Sequence, residues 1–308
     1  MAHFNGANMK VYLAGEREIF KEGNITSWGK VMKRRLFSYY YNGALKGNQI
    51  TPEIWKTLDV TDDLFLDSGA FSAYTKGVTL NIDKYASFIH QADIWSCASN
   101  LDDIRGDSQL TYDNQKALES LGCKVQPVFH SREDPRWLTK YLDEGYDYIF
   151  IGGMVPETTK FLHEWLDFIW GHYLTKSDGT PRVKVHGFGL TTVELMVKYP
   201  WYSVDSSTWL MTGIFGSCII EIRDMEYMSI PFSKDSPRRR DETSRHYYCL
   251  SKHEKSIVDS RLAEIGVSAK DCIEHYYYRD IVNAYTFQNM ERHGIDKFHS
   301  YQMGLFDV

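Results

Sequence analysis

Two aspartates far apart in the chain each follow a short apolar run and open a polar turn, Asp67-Ser68-Gly69-Ala70-Phe71 and Asp205-Ser206-Ser207-Thr208-Trp209. Two carboxylates brought to one site suit two kinds of chemistry. One can attack an oxocarbenium-like carbon while the other changes protonation state, as in retaining glycosidases; or both can bind a metal in a lyase or hydrolase. Four further clusters also follow apolar runs: Asn100-Leu101-Asp102-Asp103, His130, Gly152-Gly153-Met154 and His186-Gly187-Phe188-Gly189. Each alone has an ordinary structural reading, because Asp-Ser-Gly is a common turn and Gly-Gly after a strand is a tight loop. Their shared position at strand ends is the signal, since catalytic groups of a barrel collect where strands give way to loops.

The elements that must position these groups are short β-rich runs with helical segments between them, the pattern of a parallel sheet. The runs are Val11–Leu13, Leu64–Leu66, Asp93–Trp95, Val125–Val128, Tyr148–Ile151, Val183–Val185, Trp201–Val204 and Ile219–Ile222, eight in all. Pro127 removes a ladder donor from the fourth. Ile82, Tyr85, Ala86 and Ile89 fall at helical spacing, as do Phe161, Leu162, Trp165, Phe168 and Ile169. Asp134-Pro135 reads as a helix start, and Thr192 as a cap. The expected fold is α/β, a (β/α)8 TIM barrel over residues 1–236, with a helical appendage over 237–308 packed on it. No internal repeat or low-complexity segment interrupts it.

Bulk properties set limits on partners. The chain has 308 residues, 43% hydrophobic and 25% charged, which is ordinary for a globular protein. A net charge of −6 argues against phosphate binding over the whole surface, so a nucleic-acid site must be a patch. The dense basic clusters are Lys33-Arg34-Arg35 and Arg238-Arg239-Arg240; either also reads as a solvated surface run. Five scattered cysteines do not form a secretory disulfide pattern, and no apolar stretch is long enough to span a bilayer. A soluble cytoplasmic protein is expected, with no membrane partner and no organic cofactor; homodimer assembly is left open.

In their order, these clusters resemble the queuine and archaeosine tRNA-guanine transglycosylase family, in register from about Val11 to the C-terminal helices. The family has an Asp-Ser-Gly-Gly-aromatic loop where this chain has 67–71, a Gly-Gly-Leu strand end at 152–154, a Met-Gly-Val-Gly strand end at 186–189, and a Phe-Asp-Ser or Phe-Asp-Cys loop at 204–206. The first and last are specific, and the glycine pieces corroborate. The resemblance implies that Asp205 is the nucleophile, attacking the anomeric carbon and expelling guanine, and that Asp67 handles the proton on the leaving and incoming bases. It implies that Phe71 stacks on the base, beside Ser68 and Gly69 of its loop. His186, next to Gly187, stands where the family has a Met on the base's other face. Gly152, Gly153 and Met154 would let backbone amides approach the base edge. Asp102 is placed to read the guanine amino and ring N–H edge, with Asp103 as second choice and helix capping as the structural alternative. His130 replaces an amide-bearing residue.

Where the family carries a structural zinc, this chain has His246-x2-Cys249 and Cys272-x2-His275, which can supply an N2S2 set; otherwise Cys249 and Cys272 serve as small buried hydrophobes. Compact relatives from phages and bacterial islands act on DNA. The short chain, the Asp-Ser-Gly-Ala-Phe variant and the altered zinc pattern are more like that branch. The expected reaction is therefore exchange of guanine in DNA for a free 7-deazaguanine such as preQ0, with Arg238, Arg239 and Arg240 on the nucleic acid. The alternatives are the same exchange on tRNA, and a catalytically silent nucleic-acid-binding barrel. The target base must leave its stack to reach a buried carboxylate.

Overall fold

The computed structural model describes residues 9–15, 33–57, 61, 63–155, 157–190, 192–224, 226–237, 239–241 and 245–291. Its centre is a parallel sheet of nine strand segments: β1 (Lys10–Ala14), β2 (Arg34–Ser38), β3 (Asp63–Asp67), β4 (Cys97–Ser99), β5 (Val125–Gln126), β6 (Val128–His130), β7 (Tyr148–Gly152), β8 (Lys184–Gly187) and β9 (Ser203–Ser206). The spatial order is β5-β4-β3-β2-β1-β9-β8-β7-β6. The two ends of that order, β5 and β6, are halves of one chain run interrupted at Pro127. Gln126 accepts from Asn100 N on one side, and Pro127 accepts from Phe150 N on the other, both at 2.9 Å. The sheet is therefore nearly closed, with eight positions around its ring, in the manner of a TIM barrel. Pro127 sits where the chain changes neighbours, so its missing N–H weakens no continuous ladder.

The expected count of eight strands is matched by different segments. Arg34–Ser38, which reads in sequence as part of a basic cluster, is barrel strand β2, and Arg35 is buried with its guanidinium 4.5 Å over the Phe37 ring. The run Ile219–Ile222 is outside the ring: it belongs to β10 (Ser217–Arg223), paired antiparallel with β11 (Glu226–Pro231). The strand expected at Asp93–Trp95 is β4, a few residues later at Cys97–Ser99. Two opposite errors cancelled in the count because apolar content marks burial, and a hairpin packed under a helix is as buried as a barrel strand.

Helices follow the strands as their spacing predicts. Ile82–Ile89 starts at the Asn81 cap and Thr159–Ile169 at the Thr158 cap, each capping side chain accepting a backbone N–H. Ser108–Ser120 is capped in the same way by Asp107. Beyond the hairpin come Lys252–Ile265, Ala269–Glu274 and Tyr276–Asn289, the first two each opened by a capping box. The last helix is tied to both the hairpin and the barrel. Asn283 Oδ1 accepts from Ile219 N at 2.7 Å, and Gln288 Nε2 donates to Val11 O at 2.5 Å. Glu291, just past that helix, takes both oxygens to Arg34, at 2.5 and 2.6 Å. No described helix is long and apolar enough to cross a membrane.

Strand periodicity of two decides what faces the barrel interior. In β3 the outward Leu64 and Leu66 pack with the surrounding helices, while Phe65 joins Tyr12, Val128 and Phe150 inside the ring. Asp63 and Asp67 share the parity of Phe65, one a layer below it and one a layer above. The lower layer is closed by polar pairing: Asp63 accepts from Lys10 Nζ at 2.7 Å, from Tyr12 OH at 2.9 Å and from Ser96 Oγ. Burial alone would raise the Asp63 pKa, but its bonds to Lys10 and Ser96 outweigh that and hold it below the usual carboxylate range. Replacing Asp63→Ala leaves these donors unpaired between three strands and is expected to lower stability by about 2–4 kcal/mol. A shift in the urea midpoint at unchanged slope would measure it; a change under 0.5 kcal/mol, about what a surface substitution costs, would refute the structural role.

Candidate active site

The layer above Phe65 holds the ionisable groups. By the same parity Asp67 follows Phe65, His130 follows Val128, Gly152 follows Phe150, and Asp205 follows Ser203. The register sets Asp67 beside Ser38, His130 beside Gly152, and Asp205 beside Tyr12. These strand ends, with the loops after them, surround a cleft of about 1280 Å³. It exceeds the roughly 300–1000 Å³ of a pocket for one small ligand. Asp67, Asp102, His130, Gly152, Asp205 and the half-exposed Phe71 all line it.

Asp67 is half-buried at the strand end, and its Oδ2 accepts from Gly69 N at 3.0 Å. Burial, together with the nearby charges of Asp102 and Asp205, raises its pKa to about 8, so at neutral pH it carries a proton. Gly69 makes this turn with φ +73°, and a Cβ there would lie 2.6 Å from Tyr40 Cβ and 3.0 Å from Tyr40 N. Only glycine fits that turn.

Asp102 and His130 form a second unit. His130 Nε2 donates to Asp102 Oδ2 at 2.7 Å, and Nδ1 lies 3.2 Å from Glu133 Oε1. Burial disfavours the imidazolium, yet the bonds to Asp102 and Glu133 outweigh it and lift the His130 pKa to about 10. Ser68 Oγ donates to the other Asp102 oxygen at 3.3 Å. Gly152 makes room for this unit, because a Cβ there would lie 2.7 Å from His130 Cδ2.

Asp205 is held by two donors on a single oxygen, Gly189 N at 3.0 Å and His186 Nε2 at 3.2 Å, both to Oδ1. His186 is wholly buried among the rings of Phe65, Phe150 and Phe188, at centroid distances of 4.6, 5.1 and 4.7 Å. Burial lowers its pKa, against the pull of Asp205, so the ring is neutral.

The residues singled out from sequence therefore divide. Asp67, Asp205, Phe71, Asp102, His130, Gly152, Gly153 and Met154 line one cleft. Ser68 is buried beneath it, linking Asp102 to the Asp67 turn, with its N–H on Ser99 Oγ at 2.8 Å. Asp103 points elsewhere: its oxygens accept from Arg105 Nε at 2.9 Å and Asp107 N at 3.1 Å, organising the loop before Ser108–Ser120. His186 lies under the cleft floor and reaches it through Asp205, so no base can stack on it there. Gly187 has the opposite parity, and a Cβ on it would meet Leu190 and Trp201. Phe188 and Gly189, left without roles in the sequence reading, line the cleft. The register sets His186 beside Phe150 and Ser203, so His186 and, two residues on, Phe188 share their inward parity.

The basic and zinc candidates lie apart from this centre. Arg238 is outside the described residues; Arg239 donates to the Lys234 carbonyl, and neither it nor Arg240 is among the residues lining the cleft. The Lys and Arg side chains that do line it are Lys46, Arg105 and Arg132. Arg105 pairs with Asp103 at 2.8 Å, and Arg132 with Glu157 at 2.6 Å. His246 uses both ring nitrogens on the backbone, donating to Ser233 O and accepting from Tyr248 N, each at 3.2 Å. Cys249 contacts the Arg239 carbonyl, Cys272 lies against Cys218, and His275 starts the helix Tyr276–Asn289. Among the described residues no three His, Cys, Asp or Glu side chains are grouped to hold a metal ion.

No family model matches the sequence, and no curated protein is similar enough to it to count as a match.

The site's electrostatics are testable through one substitution. Asp102→Asn removes the partner that raises His130 and the charge that raises Asp67, so both pKa values should fall. Titration of the His130 ring protons by NMR should show its midpoint moving down from about 10; an unmoved midpoint would show that Asp102 is not its partner.

Proposed function

We propose that this chain is a (β/α)8-barrel transglycosylase that exchanges guanine in DNA for a 7-deazaguanine such as preQ0. The observation that carries this reading is one cleft lined by two carboxyl groups in different surroundings: Asp67, whose pKa burial and two acidic neighbours raise to about 8, and Asp205, fixed by two N–H donors. In the first half-reaction Asp205 attacks the anomeric carbon, the glycosidic C–N bond breaks, and the departing base takes the Asp67 proton. In the second, the incoming base attacks the same carbon, gives its proton to Asp67, and the ester to Asp205 breaks. Two inversions give net retention.

The rest of the cleft supports this assignment. Phe71 offers an exposed face to the base, and Phe188 on the opposite strands supplies a second ring. Asp102 keeps lone pairs free beside its bonds to His130 and Ser68, enough to accept N–H groups from a guanine edge. Exposed Tyr41 and Tyr74, on the cleft wall near Phe71, suit bases flanking an extruded nucleotide, because stacking tolerates any base. Lys46, Arg105 and Arg132 on the wall suit phosphates. DNA is favoured over tRNA by the Asp-Ser-Gly-Ala-Phe form of the turn.

Incubation with guanine-containing DNA and preQ0, followed by digestion to nucleosides and mass analysis, should reveal the deazaguanine nucleoside. Asp205→Ala should abolish it, Asp205→Asn should slow it, and Asp67→Asn should reduce it by about 10²–10⁴-fold. Product from tRNA alone, when both acids are offered, would overturn the DNA assignment. Base release needs the acid form of Asp67, so its rate should be level through neutral pH and fall as pH rises through about 8. A rate that instead climbs across that range would remove Asp67 from the acid role.

A further inference from the structure

We propose that His186, held in turn by Ser203 and Tyr148, is a positioning residue that fixes Asp205 so that Oδ2 is its attacking atom. This rests on the base-exchange reading above.

Both donors that reach Asp205, Gly189 N and His186 Nε2, converge on Oδ1. Among the described residues none donates to Oδ2. A carboxylate only accepts, so the His186 hydrogen is on Nε2, and in a neutral ring Nδ1 must then accept. Its partner is Ser203 Oγ at 2.5 Å, which therefore donates to Nδ1. Having spent its hydrogen, Ser203 can only accept from Tyr148 OH, also at 2.5 Å. The chain Tyr148→Ser203→His186→Asp205 thus runs in one direction. All four groups come from the inward faces of β7, β8 and β9, and the Phe65, Phe150 and Phe188 rings pack around the imidazole.

The chemical consequence lies in which oxygen forms the ester. The bond from Oδ2 to the anomeric carbon forms as the carbon–nitrogen bond breaks, the nitrogen keeping the electron pair and taking the Asp67 proton. Oδ1 then becomes the ester carbonyl, still facing both donors. When the incoming base displaces Asp205, negative charge returns to the carboxylate, and hydrogen bonds to a charged oxygen are stronger than those to a neutral one. The arrangement favours departure of Asp205 as well as its aim.

The test uses the full chain with a guanine-containing oligonucleotide and no incoming base, and follows the covalent protein–DNA adduct on denaturing gels. His186→Leu removes the donor, Ser203→Ala releases the tautomer, and His186→Gln keeps an N–H at similar reach. The first two should slow adduct formation about 10- to 100-fold at unchanged oligonucleotide affinity, with Gln recovering most of the rate. A Leu variant within twofold of wild type, or a loss seen only as weaker binding, overturns the proposal. A second readout needs no turnover: ¹⁵N NMR of the histidine rings should show His186 as the neutral Nε2–H tautomer, altered by Ser203→Ala. Adduct formation with the opposite tautomer refutes the positioning role alone. The assigned tautomer in a protein that never forms an adduct refutes the base-exchange reading.

Discussion

Three carboxylates, Asp67, Asp102 and Asp205, share one partly enclosed cleft, and a low-dielectric site does not hold three unpaired negative charges together. Each is relieved differently. Asp67 takes a proton, because burial and its two neighbours raise its pKa to about 8. Asp102 acquires a counter-charge in the His130 imidazolium, itself braced by Glu133. Asp205 receives two neutral N–H donors on one oxygen. Similar residues thereby become an acid, an ion-pair partner and a fixed carboxylate, a separation of roles made by surroundings alone.

The surroundings follow from the barrel. Inward positions stack in layers, and each layer differs in polarity. The lowest is an ionic knot around Asp63 that joins β1, β3 and the segment entering β4. The middle is aromatic, with Tyr12, Phe65 and Phe150 all buried, and it holds the buried His186. The upper layer opens to the cleft and carries the carboxylates. A rigid aromatic floor directly beneath charged groups excludes solvent from one side, strengthening every electrostatic interaction above it.

Charge around the cleft is nearly balanced. Lys46, Arg105, Arg132 and His130 face Asp102, Glu133, Glu157 and Asp205, with Asp67 neutral at pH 7. For a chain of net charge −6, such a wall would avoid repelling the polyanionic substrate proposed above, and under that proposal much of the binding would fall to shape and stacking. That is consistent with several exposed aromatics near Phe71 and with a volume larger than a single base requires.

Much of the site was legible in sequence because turn chemistry is local: Asp-Ser-Gly and Gly-Gly at the ends of apolar runs mark strand termini, and strand termini of a barrel meet at one rim. The same local rules missed β2, whose arginines hide its burial, and admitted the β10 run, whose apolar residues face a helix instead of the ring. Sequence also could not separate Asp102 from Asp103, or say whether His186 faces substrate or core. Those outcomes depend on which way a side chain points after the ring has closed. The residue types and their order along the chain were fixed by the sequence itself. Their protonation, partners and division into cleft wall and buried support were decided only by tertiary structure, because desolvation and charge proximity exist only once distant strands lie side by side.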